Sequence, residues 1–524
     1  MKFKIWILTG IIILTVFLIF FKLGKIPISL HGDEVGVGYN AYTLLKYGVD
    51  EYNKKFPISF RADVTPIIFY VTIPAIALFG LNEFSIRLPS ALVGIFTTII
   101  FYIFIKELIK TFLLKNKSSV LNQNFSFSML ALLSTLFISI SPWHIQLSRI
   151  VHDAAYGLFL QLCGLTLFFK FIRNKSKLLF ILSISILSLS VYAYHSPRLT
   201  TPLLIILLFW IFRKFISLKQ IICALIIVIL ISVPLITDII SKPFSQSRFA
   251  GINLFIGLNP SNFSLIDIII KFILNYVQQF NPFVLFYDTS NTRYFNVCGT
   301  GLFYLTSIPF IIIGLYRISF IPKFRKFIYG WIIISVLPGA LTSGPPNAGR
   351  IAMLFPTIDF LTAFGITHLI SITLNNSKLS LKVVIPLIYT ISFINFLNAY
   401  FNDSITRFKQ QWQYGAKQIA QYTLAQESKY DQIIITDSIK QIYIYILLYG
   451  EKNPTVIFSS QNTKRNSYIG YASFGKYEFR KINLNEDLIK SNTLIIGLPE
   501  EFPYNRGNLI KDERDIIIAK SISN

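Results

Sequence analysis

The chain has 524 residues, 53% of them hydrophobic and 15% aromatic, with 49 Lys and Arg against 25 Asp and Glu. Its mean hydropathy of +0.58, with many apolar runs long enough to cross roughly 30 Å of hydrocarbon, excludes an ordinary soluble domain and marks an integral membrane protein. The formal charge of +24 does not point to nucleic acid, because 33 of the basic residues and only twelve of the acids lie in residues 1–400, within the apolar part. There the basic residues fall in short clusters, as orientation in a membrane requires. The three cysteines, Cys163, Cys223 and Cys298, offer neither a disulfide framework nor a zinc motif, since two lie inside apolar runs and one in a loop.

In chain order, the first apolar run, 5–21, follows Lys2 and Lys4 and lacks a small-residue cleavage site. It reads as a retained signal anchor. Residues 24–62 then form a first outer loop, in which Tyr39, Tyr42, Leu45 and Lys46 share one helical face. That spacing predicts a juxtamembrane helix lying flat on the bundle. The segment 66–79 is apolar but short and contains Pro66 and Pro74, whereas 85–105 is a full span. Basic clusters follow at 106–117, 170–177, 213–219, 317–326 and 378–382. If all five lie on the cytoplasmic side with the N-terminus, two spans must separate each from the next. The runs 125–141 and 154–172, 178–194 and 199–212, 219–237 and 301–318, 326–343 and 351–372 meet that demand, and 380–400 returns outside. Counting 66–79 as a span would invert everything after it, so it reads as an interfacial or re-entrant helix, leaving about eleven spans. A count of twelve is the alternative, because prolines are tolerated in membrane helices.

Residues 401–524 are nearly neutral, with sixteen basic and thirteen acidic residues. Runs rich in β-branched residues at 432–436, 455–458 and 493–496 alternate with helical patterns at 408–424 and 439–448. This predicts a small α/β domain, extracytoplasmic because it follows the last span. The chain therefore divides into a membrane domain, 1–400, and a soluble domain, 401–524, with a second large outer loop at 238–300.

On this topology the acids sort sharply. Asp33, Glu34, Asp50, Glu51, Asp63, Glu83, Asp153, Asp238, Asp267 and Asp288 face outside, Glu107 is cytoplasmic, and Asp359 lies within a span. The polar chemistry belongs to the outer face. Asp33-Glu34 stands just beyond the first span and just before the juxtamembrane helix. A carboxylate there could act as general base for an acceptor hydroxyl or as a ligand for a divalent metal bridging phosphate oxygens, although Glu34 could equally serve as an electrostatic helix cap. A second constellation contains Ser141, Pro142, Trp143, His144, Arg149, His152 and Asp153, in a chain with only five histidines. A third is Tyr192, Tyr194, His195 and Arg198, and a fourth runs from Ser343 through Asn347 to Arg350. Arginines at outer helix ends could clamp a phosphate, against the plainer alternative of snorkelling to the interface.

These stretches resemble the polytopic, lipid-phosphate-dependent GT-C glycosyltransferases, namely the bacterial relatives of protein O-mannosyltransferases and of aminoarabinose–lipid A transferases. The resemblance spans most of residues 1–400. It rests on Asp33-Glu34 with Tyr39-Asn-Ala-Tyr42 and Gly48, on the run from Asn82 and Glu83 through Arg87 to Ser90, and on Ser141-Pro-Trp143. Weaker parts are Asn281 to Asp288 with Gly299-Thr-Gly301, and Pro346 to Arg350. It implies an all-α membrane fold and transfer of a sugar, with inversion, from a polyprenyl-phosphate donor to a protein, lipid or glycan acceptor at the outer face of the plasma membrane. Nucleic acid has no place in it. Asp33 matches the family's first-loop acid and Asp153 the place of a second; the two are also the candidate metal ligands, and Glu34 joins them as a catalytic candidate. Arg149, His152, His195, Arg198, Asn347, Arg350, Arg61 and Tyr39 are the candidate contacts to substrate and phosphate. Family members often carry His where Asn347 stands. The lysine that some use before the interfacial helix is absent at Val64-Thr65, leaving Arg61 as the nearest base.

The rival class is a transporter or lipid flippase. Such folds show inverted repeats and interrupted helices at the bilayer midplane, and no repeat is visible in this sequence. Asp359 is the one mid-span acid that would suit it. A third class is a non-catalytic scaffold whose soluble domain binds glycans.

Overall fold

The computed structural model describes residues 2–61, 63–114, 125–241, 253–254, 264–287, 300–344, 346–373, 379–402, 412–460, 462–465, 470–489, 491–503, 507–511 and 517–523. Its first half is helical: α1 (Lys2–Phe20), α2 (Gly32–Tyr47), α3 (Ile67–Phe79), α4 (Glu83–Leu108), α5 (Phe127–Ile140), α6 (Pro142–Arg149), α7 (Asp153–Asn174) and α8 (Lys177–Leu189). There follow α9 (His195–Ile211), α10 (Leu218–Ile240), α11 (Leu265–Gln278), α12 (Pro282–Phe286), α13 (Ile308–Ile318), α14 (Pro322–Ala340), α15 (Phe355–Thr373) and α16 (Leu379–Phe401). Their starts are written in the sequence. Ser126, Ser176, Ser217 and Ser264 each accept a hydrogen bond from the first turn of the helix they precede, satisfying amide groups that have no partner inside the helix.

All eleven segments expected to cross the membrane are helical. Seven stretches are long and apolar enough to span: Lys2–Phe20, Glu83–Leu113, Asp153–Asn174, Leu218–Ile240, Leu265–Phe286, Ala352–Ile372 and Leu381–Phe401. The pair α5 and α6, bent by 55° at Ser141, would make an eighth. Lys177–Tyr192, His195–Ile211 and Leu305–Ile318 are shorter apolar helices, as is Ile67–Phe79. One long apolar stretch was not expected. It falls in the region read as an outer loop, 238–300, where α11 presents Leu265, Ile266, Ile269, Ile270, Ile273, Leu274 and Val277 to the outside, an amphipathic pattern. Asp288, Cys298 and most of the rest of that loop lie outside the described residues.

By packing, the chain forms two compact units. The first comprises Met1–Phe21 and Ser90–Ser404. Its core is a cluster of buried aromatic rings, with Phe112 within 5.6 Å of Phe169, Phe212, Phe324 and Phe327. Helices α7 and α8, α13 and α15, and α9 and α14 pack as pairs around it.

The second unit joins Lys22–Pro89 to Ile405–Asn524. Its C-terminal part contains α17 (Ala416–Gln426), β1 (Gln432–Ile435), α18 (Ile442–Tyr449), α19 (Pro454–Ser459), β2 (Lys464–Arg465), β3 (Tyr471–Phe474) and β4 (Tyr477–Phe479). It closes with α20 (Leu484–Asp487), β5 (Thr493–Gly497), β6 (Asn508–Lys511) and β7 (Ile517–Ser523). The seven strands form one mixed sheet in the order β2-β3-β4-β1-β5-β7-β6. At its centre β1 runs parallel to both β4 and β5, and Ile433 to Ile435 and Leu494 to Ile496 are all buried, as a strand covered on both faces requires. Helix α18, apolar on every side and buried, packs against α2 and α17, and α2 against α3. The α/β character expected for 401–524 is present, with one correction. The run 455–458, read as a strand, is helix α19, because Asn453 caps it by accepting from the Thr455 amide at 3.0 Å and Pro454 occupies its first position. A β-branched run does not outweigh an N-cap followed by proline.

Candidate active site

Within the second unit, the start of α2 is set by His31. Its Nδ1 accepts from the Asp33 amide at 3.2 Å while its own amide donates to Glu34 Oε2 at 2.9 Å, a reciprocal cap. Burial lowers the His31 pKa from its ordinary value, which keeps the ring neutral and Nδ1 free to accept. The two acids of the pair then diverge. Glu34 is buried and meets Arg87 in a two-pronged ion pair, with Nε and Nη2 each 3.1 Å from a carboxylate oxygen. The same guanidinium donates to the carbonyls of Leu23, Pro27 and Ser29, so Glu34 and Arg87 lock the chain entering α2. Asp33 instead keeps 43% of its side chain exposed.

Arg61 faces Asp33. A tight turn closed by the Phe60 and Val64 pairing carries it, and its backbone has a left-handed φ of 46°. From there the side chain lies across α2 at Gly36, where a Cβ would come within 2.0 Å of Nη1. Nη1 lies 3.9 Å from Asp33 Oδ1 and donates to the Gly32 carbonyl at 3.3 Å; Nε lies 3.3 Å from Glu51 Oε1; Nη2 donates to Gln441 Oε1 and Tyr443 Oη at 3.0 and 3.1 Å. Arg61 is 2% exposed, so it holds Asp33 in place more than it offers itself to a ligand. Residues from the C-terminal part complete the platform. Gln413 Oε1 accepts from the Gly32 amide at 2.6 Å and Tyr445 donates to the Leu30 carbonyl at 2.6 Å. Burial pushes the Tyr443 and Tyr445 phenols further above their ordinary range, so both stay neutral. Tyr39 is fully buried and donates to the Lys452 carbonyl at 2.8 Å, which puts it in the scaffold and out of a ligand's reach.

The remaining candidates lie in the first unit. Three helix ends meet there. His152 caps α7 by accepting from the Ala154 amide at Nδ1, 3.0 Å away. Asp153 is the first-turn acid of α7, at the end that favours negative charge, with Oδ1 3.3 Å from His152 Nδ1. Gly349 packs so closely on this pair that a Cβ would be 2.6 Å from His152 Cε1 and 2.9 Å from Tyr194 Oη. Ser196, beside His195, donates to the Arg350 carbonyl at 3.0 Å. Asn347 Oδ1 accepts from the Arg350 amide, and the Arg350 guanidinium donates to Thr342 Oγ1 at 2.6 Å. His152, Asp153, His195, Asn347 and Arg350 therefore share one neighbourhood. Arg198 lies one turn along α9 and donates to the Val191 carbonyl at 3.5 Å, at the edge of an apolar cavity of about 200 Å³.

Arg149 departs from the phosphate contact expected of it. It is fully buried, donates 2.7 Å bonds to the carbonyls of Leu18 and Ile19 at the end of α1, and stacks its guanidinium over Tyr400 and Phe401. A cation closing a helix C-terminus satisfies both stranded carbonyls and the helix dipole. The Ser141-Pro-Trp143 motif is likewise structural: Ser141 Oγ and Trp143 Nε1 donate to the two oxygens of Asp359 at 2.6 and 3.1 Å. No group of three or more His, Cys, Asp or Glu near enough to hold a metal occurs among the described residues. Asp33, one of the candidate metal ligands, has the Arg61 guanidinium beside it, with Nη1 3.9 Å from Oδ1, and that positive charge disfavours a metal cation on the same carboxylate.

Three residues that shape this site, Gln413, Gln441 and Tyr443, escaped the sequence reading, and Glu51 was read only as one of the outer-facing acids. The three stand about 380 to 410 residues from Asp33, in a part of the chain that reads as a separate domain.

No family model matches the chain, and no curated protein matches it in sequence. Among solved structures, ArnT from Cupriavidus metallidurans in the apo state aligns over 99% of this chain and 98% of its own, with a TM-score of 0.54 and 9% identity. The same protein bound to undecaprenyl phosphate aligns over the same shares with a TM-score of 0.48 and 9% identity. The archaeal oligosaccharyltransferase AglB from Archaeoglobus fulgidus, in complex with an inhibitory peptide and a dolichol-phosphate, aligns over 85% of this chain with a TM-score of 0.48 and 11% identity, and this chain spans 63% of its length. The apo ArnT match shows a shared fold from end to end. The chain has a polytopic, GT-C-type helical fold with a small C-terminal sheet.

Proposed function

We propose that the chain is a membrane glycosyltransferase that moves a hexosyl or pentosyl group from a polyprenyl-phosphate donor to a protein, lipid or envelope-glycan acceptor. The fold shared with ArnT supports this reading, and the state of Asp33 carries it. Of the four acids Asp33, Glu34, Asp50 and Glu51, three are buried at 1% exposure or less while Asp33 stays open, fixed by a helix cap on one side and a guanidinium on the other. That is the condition of a carboxylate held ready for a substrate.

In the proposed reaction the acceptor's nucleophilic atom bonds to the anomeric carbon as the bond from that carbon to the phosphate oxygen breaks, with inversion. Asp33 takes the proton from the nucleophile, and the lipid phosphate departs. Electrostatic support for that leaving phosphate is the larger contribution in transfers of this kind; Arg350, Asn347, His195 and Arg198 are assigned to it, with Asp153 and His152 shaping the same neighbourhood. Glu34, Arg149 and Tyr39 are assigned structural roles. The transporter reading loses its main residue, because Asp359 already accepts from Ser141 and Trp143.

The test is mass spectrometry of glycans and glycolipids from a deletion strain, its parent, and the deletion strain carrying Asp33→Asn. A glycan or glycolipid that loses one sugar in the deletion strain, and stays lost with Asp33→Asn present at normal levels, is the expected outcome. Identical profiles in all three strains would sink the proposal. The outer-face orientation is tested separately by a reporter at Asn524: activity confined to a cytoplasmic reporter would reverse it.

A further inference from the structure

Within the first unit, at the end of α9 opposite His195 and Arg198, two connections bring cations to a single cavity of about 290 Å³. Arg213, Lys214 and Phe215 come from the turn after α9, Lys323 and Lys326 from the first turns of α14, and Trp210 from the last turn of α9. Lys326 Nζ lies 4.4 Å from the centre of the Trp210 ring; Lys323 and Lys175 lie 5.6 and 4.0 Å from that of Phe215. No carboxylate lines the cavity. Among the described residues, none of Arg213, Lys214, Lys323 and Lys326 forms an ion pair.

Orientation in a membrane explains why cations occur on these connections, but not why they converge. Ring faces attract cations yet carry no net charge, so repulsion among the four remains. The first turn of α14 adds to it: that turn contains no acid and its N-cap, Ile321, offers no side-chain acceptor, so cations sit where the helix dipole is itself positive. An anion offsets both terms at once. Phosphate suits a site of several lysines, an arginine and a helix N-terminus. Trp210 and Phe215, 51% and 45% exposed, are the kind of half-wet aromatic side chains that sit at the level of lipid headgroups.

We propose that this cavity binds a phosphoryl anion, and that the exposed rings at its rim favour one carried by the headgroup of an anionic membrane lipid. The site is distinct from the one proposed for sugar transfer and does not depend on it.

The full chain, purified in uncharged detergent, would be offered phosphatidylglycerol or phosphatidylcholine, and retained lipid counted by native mass spectrometry. Melting would be followed in inorganic phosphate against chloride at equal ionic strength. Phosphatidylglycerol should be retained about tenfold better than phosphatidylcholine, as losing one charged contact predicts, and added salt should erode the difference. Arg213→Gln with Lys326→Gln should abolish the preference, while Arg213→Lys with Lys326→Arg keeps most of it. Stabilisation by inorganic phosphate that vanishes in the Gln pair, with lipid retention unchanged, would assign the same anion site to free phosphate. Both Gln substitutions are at exposed positions, and an unchanged melting point in chloride verifies the fold. If neither phosphatidylglycerol nor phosphate distinguishes the parent from the Gln pair, the site does not exist.

Discussion

Asp33 keeps 43% of its side chain exposed, whereas Glu34, one residue on, is wholly buried against Arg87. A helix turns about 100° per residue, so neighbours on α2 face different surroundings, and the difference in surroundings predicts a difference in consequence. Asp33→Asn keeps size and hydrogen bonding but removes the proton acceptor, so transfer should fall about 10²–10⁴-fold with the melting point nearly unchanged. Glu34→Gln leaves the buried Arg87 charge with neutral partners, the carbonyls of Leu23, Pro27 and Ser29 among them, and breaking a buried pair costs about 3–5 kcal/mol; it should lower the melting point and the amount of protein while the surviving molecules still transfer. Measuring both quantities on both variants decides the matter, and equal loss of transfer per molecule would contradict the assignment. Gly36 adds a third case. A methyl there would overlap Arg61, so Gly36→Ala should displace the guanidinium and with it Asp33. A shift of about 1 Å at a reacting group can cost 10²-fold, and activity assays of Gly36→Ala against Ala41→Gly, a change on the same helix, would show whether the effect is specific to Arg61.

Among the elements, the break between α5 and α6 shows what a sequence can and cannot announce. Ser141-Pro-Trp143 is conspicuous at a span end, and Asp359 is conspicuous as an acid inside an apolar run, yet nothing in their spacing says they belong together. The structure pairs them: a bend of 55° leaves the start of α6 in need of an anchor on α15, and Asp359 supplies it by accepting from both side chains. Asp359→Asn would keep one acceptor and turn an amide N–H toward a donor, which costs about 1–3 kcal/mol. The expected result is a lower melting point, and unaltered melting would show the bend to be held by packing alone. Helix positions were legible because apolar runs of this length have few alternatives in a membrane: all eleven expected segments are helical, though only six of them are singly long and apolar enough to span. Helix α19 was misread because composition outweighed the Asn453-Pro454 start signal. The helix α11 was passed over because its apolar residues lie along one face and never form an unbroken run.

At the scale of the whole molecule, the membrane character and the fold class were legible, but the packing units were not. Composition changes near residue 400, and a reader of composition cuts there. Packing follows contacts instead, and joins Lys22–Pro89 to Ile405–Asn524. Half of the candidate site around Asp33 therefore could not be read from the sequence: Asp33 and Arg61 stand out as charges, whereas Gln413, Gln441 and Tyr443 are ordinary residues made relevant only by folding. This leads to a prediction that separates a cover from a working part. Replacing Gln413 and Gln441 by Leu together removes the acceptors for the Gly32 amide and for Arg61 Nη2 while leaving the apolar face of α18 on α2 intact. Each lost bond should cost about 1–3 kcal/mol of local support, loosening the start of α2 while the sheet stays formed. Transfer should then fall at least about tenfold, in a protein whose sheet signal by circular dichroism matches the parent, and Val456→Ala, an exposed change in α19, should leave it untouched. Parental transfer by the double variant would mean that the C-terminal residues merely cover α2, and that Asp33 is held by His31 and Arg61 without them.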